Sequence, residues 1–187
     1  MRRIPRRLSL LLLPLVLLST QASAGVQLTV GGVEDPLKAA AISGVELSQY
    51  ATREVSDAQV RRLYERAPGQ VKSALEPYGY YDATVTGDLQ QVGKDWRVTL
   101  HVQPGEPVKV TAVDVQLDKE AAQLAPLRRA KRAIERLKDK PLNHGAYDAA
   151  RDALGAQLTA NGFLDARLLT HRVEVTRANH SAAIKLA

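Results

Sequence analysis

The 187-residue chain contains no cysteine. Disulfides are excluded, and so is a lipid anchor carried on an N-terminal cysteine, so stability has to come from packing alone. Histidine is sparse too. His101, His144, His171 and His180 are scattered, and none lies at the His-x-x-x-His or Glu-x-x-His spacing that puts metal ligands on one helix face. No Gly-x-Ser-x-Gly is present, and the glycines of "VGGVED" precede no helix with a phosphate-binding lysine. The chain is therefore expected to be no enzyme, with no catalytic residue, metal or cofactor. Past residue 24 no apolar run is long enough to cross a bilayer.

The first 24 residues stand apart. Arg2, Arg3, Arg6 and Arg7 precede a short apolar core, "LLLLPLVLL" (10–18), and "ASA" (22–24) places small residues at the −3 and −1 positions of a cleavage site. That is the layout of a secretory signal peptide, with Gly25 as the expected mature N-terminus and a soluble product.

Removing it changes the charge. The whole chain has 26 basic and 20 acidic residues. Four of the basic ones lie in the leader, which leaves 22 against 20, and nothing in that balance points to nucleic acid. What remains is uneven. Residues 25–107 carry 8 basic and 11 acidic side chains, whereas 108–187 carry 14 and 9. Much of the excess lies in "RRAKRAIERLKDK" (128–140), which reads either as a solvated helix face or as a site for an acidic partner.

The remaining 163 residues contain one unit written twice. "VQLTVGGV" (26–33) aligns with "VKVTAVDV" (108–115) at an offset of 82, and "LEPYGYYDA" (75–83) with "LTANGFLDA" (158–166) at 83. Leu75/Leu158, Gly79/Gly162, Asp82/Asp165 and Ala83/Ala166 are identical pairs. Two separated blocks at nearly one offset argue for duplication.

Each copy opens with a short strand, with Leu28, Val30 and Val33 inward in the first and Val110, Val113 and Val115 in the second. In copy one Asp35 and Pro36 open a helix. A second helix starts at Ser56, where Gln59 completes a capping-box pattern. Val60, Leu63, Tyr64, Ala67, Val71, Leu75 and Tyr78 keep one face of that helix, with a kink or split expected at Pro68. Tyr147, Ala150, Leu154 and Leu158 do the same in copy two. Gly79 and Gly162 are expected as left-handed caps that turn the helix tightly into a hairpin. The first hairpin sets Ala83, Val85 and Leu89 against Thr84, Thr86 and Asp88, with a bulge at Gly87. Its return strand alternates Trp96, Val98, Leu100 and Val102 with Arg97, Thr99, His101 and Gln103, so one face is wet. Ala182, Ile184 and Leu186 form the inward set of the last strand, and "QPGEP" (103–107) separates the copies. The predicted class is α+β: two tandem β-α-α-β-β units over 25–106 and 107–187, each a three-stranded mixed sheet with two helices on one face.

A signal peptide, the tandem order, "VKSALEPYGYYDATV" and its echo "ANGFLDARL" together resemble the POTRA domains of the Omp85 superfamily, most of all its TamA branch. "PGEPVKVTAVDVQ" adds to the likeness. The resemblance implies a periplasmic docking platform on an outer-membrane assembly factor. Its partners would be a TamB-like inner-membrane subunit and unfolded outer-membrane or autotransporter clients. Such domains add a client as a strand to a sheet edge, and an edge offers unpaired amides whatever the client's side chains are. Family topology then implies edge strands at Asp82–Asp88 (Asp82, Ala83, Thr84, Val85, Thr86) and Asp165–Thr170 (Asp165, Ala166, Arg167, Leu168). The polar phase of the first also fits plain protection against aggregation. TamA-like proteins continue into a third POTRA domain and a barrel, so a chain ending at Ala187 reads as shortened at its C-terminal side, and membrane contact would come only through a barrel absent here. Other Omp85-type transporters and a stand-alone periplasmic binding module remain alternative readings.

Overall fold

The computed structural model describes residues 25–187; the leader assigned to residues 1–24 lies outside them. The first unit runs β1 (Val26–Gly31), α1 (Leu37–Gly44), a 3₁₀ turn (Glu46–Tyr50), α2 (Asp57–Leu75), a second 3₁₀ turn (Glu76–Tyr78), β2 (Thr84–Val92) and β3 (Asp95–Gln103). The second runs β4 (Lys109–Val115), α3 (Lys119–Gln123), α4 (Ala125–Glu135), α5 (His144–Ala160), β5 (His171–Thr176) and β6 (Ser181–Leu186). The sheets have orders β1-β3-β2 and β4-β6-β5. In each, the outer strands pair parallel and antiparallel to the middle one. This is the predicted α+β class. Among the described residues no helix is long and apolar enough to cross a membrane.

Local chemistry explains the long helix. Ser56 stays extended, and its Oγ accepts a hydrogen bond from the Gln59 amide at 3.3 Å, satisfying a free donor of the first turn. The reciprocal half of the capping box is not made, because Gln59 Nε2 donates to Tyr50 Oη at 2.8 Å and ties the preceding 3₁₀ turn to α2. Pro68 does not split the helix, which continues through it. Val60, Leu63, Ala67, Val71 and Leu75 are buried against Trp96, Val98, Leu100 and Val102 of β3. Each such valine or leucine contributes roughly 1.5–3 kcal/mol when fully buried. Trp96 Nε1 donates to Asp57 Oδ1 at 3.2 Å, so the one indole N–H is satisfied where it enters the core. The second core is separate. Leu127 and Ile134 of α4 and Tyr147 and Leu154 of α5 meet Ala182, Ile184 and Leu186 of β6.

One sequence expectation is corrected by the sheets. Gly87 makes no bulge, since β2 and β3 keep one register from Thr84↔Gln103 to Val92↔Asp95. Gly87 is needed for space instead: a Cβ there would stand 2.8 Å from Leu100 Cδ2 and 3.1 Å from Tyr64 Oη, which lies across the strand. The register shift occurs in β4 between Val110 and Ala112. The extra residue moves the inward phase, so that Val110, Val113 and Val115 face one core despite their odd spacing.

Candidate functional site

Hydrogen-bond parity shows which groups the outer strands leave open. In a strand, the N–H and C=O of one residue point to the same side and those of the next residue to the other. Trp96 N donates to Gly25 O at 3.0 Å, so the even residues of β3 face β1 and the odd ones face β2. Arg97↔Gln90, Thr99↔Asp88, His101↔Thr86 and Gln103↔Thr84 are then the bonded pairs. The amides of Val85, Gly87, Leu89 and Gln91 point away from the sheet, where no strand is paired with β2 among the described residues. The same argument holds in unit two. Thr170 and Ala187 exchange bonds of 3.1 and 2.9 Å, so Arg172, Glu174 and Thr176 face β6, and His171, Val173 and Val175 face outward.

The residues named from sequence fall into three places. Thr84, Val85 and Thr86 begin β2, with Thr84 and Thr86 exposed and Val85 packed against the core. Asp82 and Ala83 precede the strand. Ala83 is buried, and the Asp82 carboxylate lies 3.1 Å from Arg177 Nη2 and 3.4 Å from His180 Nε2 of unit two. Asp165, Ala166, Arg167 and Leu168 are in no strand, which corrects the expected edge at Asp165–Thr170. After α5, Phe163 N returns to Leu158 O and Ala166 N to Phe163 O, so the chain turns where it was expected to extend, and β5 begins only at His171. These residues line a groove of about 610 Å³ with Phe163, Leu164 and Leu169.

Both capping glycines take the expected conformation, with φ of +87° at Gly79 and +90° at Gly162. Their surroundings differ. Gly79 O accepts from Val108 N at 2.9 Å, and a Cβ on Gly79 would stand 2.8 Å from Leu142 O. Around Gly162 nothing lies within 4 Å of that position. In unit one the segment after the cap is thus a joint to unit two. Tyr81 packs on the second core, its Oη lies 3.0 Å from His144 Nε2, and the Arg177 guanidinium sits 5.7 Å over its ring while donating to its carbonyl. Burial, then the Glu76 carboxylate, push the Tyr81 hydroxyl above the usual tyrosine range, against a weaker downward pull from Arg177. The stretch "YGYYD" contained the signal for this joint, but its side-chain contacts come from residues 63 to 96 positions away.

No curated protein matches the chain. Residues 27–104 match the family described as POTRA domain TamA domain 1. Among solved structures, POTRA1-3 of the periplasmic domain of Omp85 from Anabaena is 14% identical with a TM-score of 0.39, covering 88% of this chain and 60% of that one. For POTRA3-5 of Haemophilus influenzae BamA the values are 19%, 0.42, 88% and 65%. For POTRA1-2 of the Anabaena Omp85 they are 15%, 0.39, 88% and 93%. The chain thus spans less than two thirds of the first two structures. The likeness to a POTRA family model thus covers the first unit, residues 27–104.

Proposed function

We propose that this chain is a periplasmic docking module of an outer-membrane assembly factor of the TamA type, holding polypeptides as strands added to a free sheet edge. The observation that carries the proposal is the row of outward amides at Val85, Gly87, Leu89 and Gln91 on β2, beside which no other strand lies among the described residues. An incoming strand pairs with such a row through its backbone, so the site accepts unfolded clients of varied sequence. The family match over unit one supports the TamA assignment. On that assignment unit one meets a TamB-like inner-membrane subunit, and the chain reaches the periplasm by cleavage after Ala24. The two domains span 25–106 and 107–187. Thr84, Val85 and Thr86 open the docking edge, and His171, Val173 and Val175 of β5 offer a second.

The test is a single proline variant. Val85→Pro removes an outward amide and leaves the ladder with β3 intact. Peptides with alternating apolar residues should bind it roughly 3- to 10-fold more weakly, the loss of one backbone bond, with an unchanged circular dichroism spectrum. A folded Val85→Pro variant that binds such peptides as tightly as the parent overturns edge addition at β2.

A further inference from the structure

We infer a second, electrostatic surface on unit two, built from α4 and the turn that follows it. Arg129 and Arg132 of α4 and Arg136 at its C-cap are spaced three and four residues apart, are all exposed, and form one stripe. Lys138 and Lys140, also exposed, extend the basic run past the helix end. None of these five cations has a carboxylate within 4 Å among the described residues, although Lys131 in the same run lies 3.8 Å from Glu135. Elsewhere in unit two, Arg151, Arg172, Arg177 and Lys185 are paired, whereas Lys109, Lys119 and Arg167, far apart in sequence, have no ion pair among the described residues. A helix dipole favours a cation or two in the last turn, which accounts for Arg132 but not for Arg129 or the lysines beyond.

The partner this surface fits is an anionic phospholipid bilayer. A specific protein interface needs a buried apolar or aromatic anchor seated in a pocket. The stripe has neither: among the described residues the exposed large hydrophobics are Val92, Leu164, Leu168 and Leu169, all remote in sequence from α4, and α4 contributes no residue to the groove beside Phe163. A charged lipid surface needs no such anchor. Each exposed Lys or Arg held near an anionic membrane raises binding about fivefold, and the attraction falls away within a Debye length. Unit one, with its acidic excess, would stay off the membrane, so adsorption would have one orientation.

The experiment is flotation of the processed chain, Gly25–Ala187, with vesicles of phosphatidylcholine alone or with about one third phosphatidylglycerol. Residues 1–24 are left out because their arginines and apolar core would bind vesicles independently. Expected are binding to the anionic vesicles only, release at high salt, and a loss of roughly 100-fold in R129Q/R132Q/R136Q. A control carrying Lys38→Gln, Lys72→Gln and Lys94→Gln in unit one should keep most of the affinity. No binding to anionic vesicles at low ionic strength, or equal binding by the triple-arginine variant, overturns the assignment. Binding of polyglutamate to the stripe without binding to vesicles also overturns it, in favour of an acidic protein partner.

Discussion

The carbonyl of Gly79 accepts a hydrogen bond from the amide of Val108 at 2.9 Å. The residue that ends the helical layer of unit one therefore also holds the first strand region of unit two. Gly79 is buried, and both its left-handed backbone and its missing side chain are used.

Gly79 and Gly162 should separate these two requirements. Gly162→Ala meets only the cost of a left-handed backbone, about 1 kcal/mol. Gly79→Ala adds a Cβ 2.8 Å from Leu142 O and should cost on the order of 2–3 kcal/mol. Thermal unfolding of both variants measures the difference; equal midpoints would show that the joint yields freely at Gly79.

Gly87→Ala should destabilise, although alanine is usually the better residue within a strand. The new methyl would press on Leu100 Cδ2 and the Tyr64 hydroxyl, at a cost of roughly 1–3 kcal/mol for overpacking. Adding Tyr64→Phe, which removes the oxygen 3.1 Å from that methyl, should recover part of the loss in denaturant titrations. No recovery would mean that Leu100 alone sets the cost.

Arg177→Ala should change stability by less than about 1 kcal/mol, because both it and Asp82 are half-exposed and solvent screens the pair. Its effect should appear in geometry. Small-angle scattering should report a broader spread of orientations between the two units, since the guanidinium holds the Tyr81 carbonyl, the Tyr81 ring and the Asp82 carboxylate together. An unchanged scattering profile would leave the Tyr81 contact with the second core as the sufficient tie.

Alkali should loosen the fold through Tyr81. Its hydroxyl titrates above the ordinary 10.0 in the folded chain, so the folded state favours the neutral phenol. That contribution is complete below pH 10.0 and is lost as pH rises through the raised value. Tyr147, raised mainly by burial, acts in the same direction. Tyr81→Phe should be less stable near pH 7 by about 0.5–1.5 kcal/mol for the lost His144 contact, yet lose less stability on going to high pH. Parallel stability curves for parent and variant would remove Tyr81 from the alkaline transition.

Local signals were legible where the cause is local. Ser56, the apolar face of α2, the alternation along β3 and the positive φ at both glycines follow from neighbours within a few positions. The fate of Tyr81 and Asp82 did not, because the side chains that hold them, His144, Arg177 and His180, belong to another core. Nor did strand parity, which depends on Trp96 pairing with Gly25 across the sheet. One miss was visible beforehand: Leu168 and Leu169 are adjacent, and a strand with one buried face cannot turn both inward. The structure exposes both in the loop before β5.

The β2–β3 hairpin has its base at the joint and its tip at Gly93–Lys94. Each strand has nine residues, so the tip stands about 30 Å from the base. The Asp82 clamp is two residues before the edge begins at Thr84, and Val108 lies five residues after the hairpin ends at Gln103. A polypeptide pulling on the far end of β2 would act through a lever whose fulcrum is the contact between the two units. Small forces at Gln91 would become a torque on the orientation of unit two, so tension in a held chain could be felt at the joint without any movement inside either core.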